Sequence, residues 1–431
     1  MTQFDLFPPI PSSWTWVRAA EVCLKIQDGT HFSPKNQMPH GEYMYVTAKN
    51  IRPWGMDLKD ITYLDERDHR VIYERCDPKK GDVLLVKDGV NTGDAALNTL
   101  YQEFSLLSSV CMLRPNPTAI DGAFLRYFLL SPSGSHLLTG QMSGSAIRRI
   151  VLHKIRDLPT PIPPLVEQRR IVAEIETQLA RLDAAEAALE RARAKLKRYR
   201  ESSLEWSTQD TSIVASDKSS WQQTTIGAIA DVGTGSTPLR SRKDFYENAT
   251  IPWVTSGELN AERIYQPVQA VTETAQREHR LKLYGPSTLL VAMYGEGKTR
   301  GKCSELMTYA TINQAIAAIS VRDEFRKYQP FVKLCLIGQY EQTRRMASGG
   351  VQPNLNLAMI RSIPISLPPT DELSAIIDSI DAHLERADQC SAGVRESQHR
   401  AAALRQSILQ RAFAGQLVAQ DPDDEPAQYC R

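Results

Sequence analysis

The sequence predicts an α/β protein made by internal duplication: two mixed α/β halves, each running into a long helix, with the two helices pairing. The chain of 431 residues matches itself. The stretch "LHKIRDLPTPIPPLVEQRRIVAEIETQLARLD" (152–183) lies on "LAMIRSIPISLPPTDELSAIIDSIDAHLERAD" (357–388) without a gap, at a constant shift of 205 residues, 357 less 152. Arg156/Arg361, Pro159/Pro364, Pro163/Pro368, Pro164/Pro369, Glu167/Glu372, Ile171/Ile376, Ile175/Ile380, Leu179/Leu384 and Asp183/Asp388 coincide, and the shift continues to Arg200/Arg405 and Leu204/Leu409. Fixed-period self-similarity marks a repeated structural unit. Beyond that, positions 165–206 contain neither Gly nor Pro, and the rest alternates short apolar runs with turn residues.

The first half, 1–158, and the second, 221–362, carry runs such as "YMYVTAKNI" (43–51), "DVLLV" (82–86), "IPWVTSGEL" (251–259) and "TLLVAMY" (288–294), which read as short buried strands. "AFLRYFLLS" and "PFVKLCLIGQY" read as amphipathic helices at equivalent places. At each joint, consecutive prolines hold the backbone extended and push the preceding residues out of the helical region, so a helix begins only after them. Glu167 and Glu372 then fall in a first helical turn, where a negative charge suits the dipole.

The first elbow and helix span 159–206. Ile175, Leu182, Leu189 and Leu196 recur every seventh residue, with Leu179 beside them, and the second elbow and helix (363–416) carry Ile377, Ile380, Leu384, Val394 and Ile408. These ten residues are the expected pairing seam. Forty-odd residues at 1.5 Å each make a rod of roughly 60 Å. "RARAKLKRYR" (191–200) reads as a solvated helix end, with phosphate contact as the alternative. A polar linker (207–220) follows the first helix, and 417–431 reads as a loose acidic tail.

Composition is that of an ordinary globular chain, 42% apolar and 23% charged. No apolar run reaches membrane-spanning length and "MTQFDLFPPIPSSW" lacks a signal-peptide pattern, so a cytoplasmic location is expected. Seven scattered cysteines, with no C-x-x-C pair, argue against a disulfide framework and a zinc knuckle. A net charge of +1 neither proposes nor excludes nucleic acid.

No catalytic residue and no metal site is expected. "AMYGEGKT" (292–299) nearly fits a phosphate-binding loop, but Ala292 replaces its first Gly, and Arg300, Gly301 and Lys302 make a poor helix start. "EGK" (296–298) has no aspartate within 262–290 to complete a metal-dependent nuclease site. No H-E-x-x-H, G-x-S-x-G or N-P-P-[YF] occurs. What both halves share is polar and basic residues beside glycines on loops. In the first these are Lys49, Asn50, Arg52, Lys87, Asn91, Arg148 and Arg149. In the second they are Ser256, Tyr294, Lys298, Arg300, Lys302, Arg344, Arg345, Gln352 and Asn354. Arg and Lys suit guanine and phosphate, and Asn and Gln suit adenine, so these residues are expected to touch double-stranded DNA.

The elbow repeats "IPPLVEQRRIVAEIE" and "LPPTDELSAIIDSID" resemble the specificity subunit of Type I restriction-modification systems. So do "IQDGTHFSP", "GTGSTP" followed by "IPWVTSGEL", "VAMYGEGKTRGK", "SGGVQPNLN" and "AFAGQLVAQDPDDEPA". The resemblance implies two target-recognition domains on an antiparallel coiled coil, each reading one half of a split asymmetric DNA site. It also implies docking of methyltransferase subunits, two in number, with restriction subunits joining through the complex. S-adenosylmethionine, ATP and Mg would belong to those partners, and this chain would hold no cofactor. The alternatives are a DNA- or ligand-binding module whose helices serve only dimerisation, and an enzyme using the Gly-Lys loop.

Overall fold

The computed structural model describes residues 9–140, 149–205, 220–295, 299–346 and 354–426. It divides into two compact units, Met1–Leu189 with Glu396–Arg431, and Glu190–Arg395. The sequence reading sets each helix apart as a segment of its own, but the division falls inside both long helices, Leu165–Glu205 and Thr370–Phe413.

In the first unit a four-stranded antiparallel sheet runs Cys23–Asp28, Val110–Pro115, Val83–Val86, Ala95–Leu97. Successive side chains of a strand point to opposite faces, and Val83–Val86 has apolar partners on both. Val83 and Leu85 join the cluster containing Phe124 and Phe128, while Leu84 and Val86 join the one containing Val46 and Leu106. That is why this strand reads as an unbroken apolar run. The second cluster lies under a mixed sheet of Thr62–Leu64, Tyr43–Val46 and Phe104–Leu106. "YMYVTAKNI" is a strand to Val46; a 3₁₀ turn, Ala48–Asn50, follows, and Ile51 opens a second short strand, Ile51–Arg52.

The second unit repeats the plan. Its sheet runs Ala230–Thr234, Ile316–Val321, Leu289–Ala292, Cys303–Leu306, Arg263–Ile264, antiparallel except for the last pair. Leu289 and Val291 face the cluster with Phe331, and Leu290 and Ala292 the cluster with Leu306 and Ile312. Two glycines explain the shared "DGT" and "GTG" motifs. A Cβ on Gly29 would sit 1.9 Å from the Leu106 carbonyl oxygen, and one on Gly235 1.6 Å from that of Ile312, so no larger residue fits either close approach.

Each proline elbow is also a strand. Pro159–Ile162 pairs antiparallel with Thr15–Arg18, and Pro364–Leu367 with Gln222–Thr225. Pro159 and Pro161 alternate with Thr160 and Ile162, which keep their amide hydrogens, and the ribbon has only two strands, so the missing donors are tolerated. Past the first elbow, Trp14 Nε1 donates to Glu167 Oε1 at 3.0 Å. Burial pushes the Glu167 carboxyl up, and the indole bond offsets part of that.

The long helices pair antiparallel. In the first unit Arg405 of the second helix reaches Asp183 and Glu186 of the first, while Ile171 and Ile175 share a core with Ile408, Leu409 and Phe413. In the second unit Arg200 reaches Asp388 and Tyr199 meets His383, while Leu204 shares a core with Ile376 and Ile380. Asp183/Asp388 and Arg200/Arg405 are duplicated positions, so one ion pair is made twice with the helices exchanged. The basic stretch 191–200 is consequently not simply a solvated end, since Arg200 is held by its partner helix. Ile175, Ile380 and Ile408 are buried; Leu179, Leu182, Ile377 and Leu384 pack partly buried, and Leu189, Leu196 and Val394 are half-buried. The seam admits close approach where its residues are small, as at Ala387 and Ala401, both buried.

A short helix of each sheet layer clamps this pair. Gly122–Leu130, capped by Asp121 through the Ala123 and Phe124 amides, sets Phe124 and Phe128 against Phe413, with ring centroids 5.1 and 5.5 Å apart. Gln329–Gly338 does the same in the second unit, closely enough that a Cβ on Gly338 would lie 2.3 Å from the Leu204 carbonyl oxygen. The tail is not loose over 417–426: Leu417 and Val418 pack on the first core, and Asp424 accepts from Arg170 at 2.6 and 3.1 Å.

Two glycine substitutions separate these constraints. Gly338→Ala forces the helix off Leu204 and is expected to cost about 2 kcal/mol, as overpacking does. Gly393→Ala, in a long helix with nothing within 4 Å of the added carbon, is expected to stabilise by about 0.5–1 kcal/mol. Urea unfolding of both variants checks the opposite signs.

Candidate nucleic-acid interface

In the first unit Val83–Val86 leads into a hairpin loop, Lys87–Asp94, that returns as Ala95–Leu97. Gly89 and Gly93, at φ 100° and 104°, let it turn, and Thr92 closes it through the Gly89 carbonyl. The Lys87 amide donates to Ser109, the Ile150 amide donates to the Lys87 carbonyl, and Asp88 bridges Arg149. Ser109 Oγ accepts from the Ala48 amide at 3.2 Å, which brings up the Ala48–Asn50 turn. Lys49, Arg52, Lys87, Asn91 and Arg149 therefore gather at one strand end, although they come from separate parts of the sequence.

Three of the residues expected to read DNA in this half are not free readers. Asn50 is buried: its Oδ1 accepts from the Thr47 amide and hydroxyl, and its Nδ2 donates to the Asp57 carbonyl. That is a capping role, and the polarity that suggested base contact is used inside the turn. Lys87 is also buried, with Nζ 3.4 Å from Asp28 and from Asp88. Asp28 further takes Arg75 at 2.8 Å, so this lysine balances the buried Asp28 and the half-buried Asp88. Arg52 folds back onto the Ala48 and Ile51 carbonyls. Lys49 and Arg149 are exposed, and Asn91 is half-buried. Arg148 lies outside the described residues. Sequence reading missed the exposed His31 and Phe32 of "DGTHF", and Trp54; the signal available was an aromatic beside a Gly or Pro turn.

In the second unit Leu289–Ala292 runs out to Met293 and Tyr294, and the chain returns as Cys303–Leu306. The Gly301 amide donates to Ala292, the Met293 amide to Ala315, and the Leu355 amide to Met293. Leu355 and Ile150 coincide under the 205-residue shift, so both units pin the strand-end loop with the same position. Lys302 Nζ donates to Asn260 Oδ1 at 2.5 Å, joining the loop to the turn that contains Ser256. Arg344 donates to the Tyr340 hydroxyl at 2.8 Å, and its Cγ would lie 3.0 Å from a Cβ on Gly301. Tyr294, Arg345 and Asn354 are exposed; Ser256, Arg300, Lys302 and Arg344 are half-buried. Lys298 and Gln352 lie outside the described residues. The strands that flank the Gly-Lys stretch, Leu289–Ala292 and Cys303–Leu306, pair antiparallel, and among the described residues between them no helix opens, whereas a phosphate loop draws its anion-binding amides from a helix start.

In the second unit a charged network centred on the buried Lys333, Glu305 and Gln329 braces the scaffold. Lys333 Nζ donates to Glu262 Oε1 at 2.9 Å and to Glu305 Oε2 at 3.1 Å, and Gln329 Nε2 donates to Glu305 Oε1 at 3.1 Å. Burial would raise the Glu305 carboxyl, but the bonds from Lys333 and Gln329 outweigh it and hold it below its ordinary range. The folded carboxyl is thus more acidic than the unfolded one. Its contribution is present above the unfolded pKa of about 4.3 and is lost as pH falls through the folded value. Lys333→Met should cost about 3 kcal/mol at neutral pH by leaving Glu305 short of a partner. It should also flatten the acid limb of a stability-against-pH curve measured by urea titration.

Among the described residues no group of three His, Cys, Asp or Glu could hold a metal ion, and no helix is long and apolar enough to cross a membrane.

Comparison with known proteins gives one answer. A family model for the Type I restriction modification DNA specificity domain matches twice, over residues 11–193 and 218–392. The chain is 22% identical to the Type I restriction enzyme StySPI specificity subunit of Salmonella potsdam over 432 residues, covering 97% of this chain and 92% of that one. It is also 22% identical to the EcoKI specificity subunit of Escherichia coli (strain K12) over 431 residues, with the same shares. A solved chain from a study of assembly and conformational transition of the type I R-M system superposes with a TM-score of 0.72 at 20% identity, over 95% of this chain and 100% of that one. The HsdS subunit from Thermoanaerobacter tengcongensis superposes at 0.61 and 19%, over 96% and 100%. At those identities the structures establish the shared fold: duplicated α/β domains on long helices.

Proposed function

The chain belongs to the Type I restriction modification DNA specificity family, and on that premise we propose that it reads a two-part asymmetric DNA site, one half-site per unit, without performing chemistry. One observation supports this most directly: the framework is duplicated while the strand-end loops are not. Lys87 and Asp88 stand where the second unit has Ala292 and Met293, yet Ile150 and Leu355 pin both loops alike. Unlike side chains on like scaffolds suit unlike half-sites. Base edges give identity and phosphates give register.

In this reading the exposed Lys49 and Arg149 serve one half-site, and Tyr294, Lys298, Arg300, Lys302, Arg344, Arg345, Gln352 and Asn354 the other. Methyltransferase subunits, two of them, dock on the long helices, and restriction subunits join through that complex in the cytoplasm. S-adenosylmethionine, ATP and Mg are held by those partners, which also flip the adenine out of the stack. The paired helices set the spacing between half-sites.

Co-expression with the methyltransferase of the same operon, followed by genome-wide mapping of methylated adenines, tests this reading; absence of a two-part motif would refute it. Inserting a matched heptad after Ala184 and after Ala403 adds about 10 Å while keeping the seam, which is about three base pairs at 3.4 Å each. The preferred spacer should lengthen accordingly, with both half-site sequences unchanged. Replacing Lys298, Arg300 and Lys302 by Ala should lower methylation at least tenfold for variants of one half-site, and the same mapping would expose a uniform loss instead.

A further inference from the structure

In each unit an arm leaves the first strand of the larger sheet at the end where the reading loop stands. Cys23–Asp28 ends beside that loop, with Asp28 3.4 Å from Lys87 Nζ. Ala230–Thr234 ends likewise: Thr234 Oγ1 donates to the Ile316 carbonyl at 2.8 Å, one residue from the Ala315 carbonyl that accepts the Met293 amide. Each arm begins at its close-approach glycine, Gly29 or Gly235. It then reaches a proline, Pro34 or Pro238, and within two residues of it presents a cation, Lys35 or Arg240.

The second arm carries three cations, and carboxylates answer two of them. Arg242 is held by Asp244 at 2.6 and 2.8 Å and lies 3.6 Å from Glu278, and Lys243 lies 3.9 Å from Glu247. Arg240 is exposed and meets no carboxylate among the described residues. Its guanidinium lies over the Tyr246 and Trp253 rings, 4.9 and 5.3 Å from their centroids, and Nη2 donates to the neutral Gln269 Oε1 at 2.7 Å. The backbone beneath is fixed as well: Tyr246 Oη donates to the Pro238 carbonyl at 2.6 Å, and Trp253 Nε1 to that of Ser236 at 3.3 Å. In the first arm Lys35 is exposed and likewise meets no carboxylate among the described residues. Gln37 ties that arm down, donating to the Pro34 carbonyl at 3.1 Å and accepting from the Thr62 hydroxyl at 3.0 Å.

An uncompensated cation on an anchored arm, beside a loop that reads bases, suits an anion. Base edges differ between unlike half-sites, but the phosphate backbone does not, so a contact kept in both units fits phosphate. The exchange of Lys for Arg points the same way. A phosphate accepts either as a charge, whereas a planar bidentate contact with guanine does not tolerate the swap. We propose that Arg240 and Lys35 are equivalent DNA-backbone anchors, each holding one phosphate of its own half-site whatever the sequence there, and so setting the register in which the loops meet the bases. This rests on the reading that each unit binds one half-site.

The test uses the full chain co-purified with its methyltransferase subunits, a duplex carrying the mapped site, and the same duplex with single base changes. Fluorescence anisotropy over a series of salt concentrations gives the affinities. Arg240→Gln and Lys35→Gln should each weaken binding to every duplex by the same factor and make the slope of log K against log salt shallower by about 0.9, and the double variant by about 1.8. Arg240→Lys should keep the parent slope, and the methylated motif should be the same in all variants. Unchanged circular dichroism and Tm show that they are folded. A parent-like slope in the double variant, or a motif relaxed at one base position, would overturn the proposal. A parent complex whose methylation map holds no two-part motif would remove the reading beneath it, and the proposal with it.

Discussion

The antiparallel pairing of the two long helices is the constraint on which both units depend. In each, the core takes residues from both helices at once: Ile175 with Ile408 and Phe413 in one, Leu204 with Ile376 and Ile380 in the other. The Arg405–Asp183 and Arg200–Asp388 pairs add little stability, since they are largely solvated. Their physical work is to set register, because a slide by one turn would break the ion pair and misplace the seam together. Burying the apolar seam against Phe124 and Phe128, or against Phe331 and Leu334, supplies the energy.

A duplicated framework with diverged loops follows from how tightly each part is packed. Gly29 and Gly235 touch strand carbonyls, and the central strands are buried on both faces, so neither copy could drift there without losing its core. At the strand ends the chain is exposed, and different solutions coexist. The first unit balances the buried Lys87 and Asp28 with the half-buried Asp88, while the second ties Lys302 to Asn260 and sinks Lys333 between Glu262 and Glu305. Each scaffold carries its own electrostatic support beneath its own loop.

Much of this was legible beforehand. The gapless self-match revealed the duplication, the seven-residue recurrence revealed the helices, and runs such as "VLLV" revealed the strands, because periodicity and burial leave a direct trace in residue type. Other features left none. Thr15–Arg18 is a polar-flanked edge strand whose only argument for existing is its distant partner Pro159–Ile162. Asp424 looked like part of a loose acidic tail because nothing near it in sequence shows that Arg170 waits for it.

The amino-acid sequence by itself determined the architecture of this protein: two α/β halves, stiff elbows and two long helices that pair, since each of these is written in local pattern. Only the tertiary structure decided which polar side chains are free. Asn50 and Lys87 have the same composition signal as Lys49 and Arg149, yet the first two are used up inside a turn and a buried charge cluster. Availability depends on partners distant along the chain, and no local rule can say whether a lysine at a strand end faces water or an aspartate.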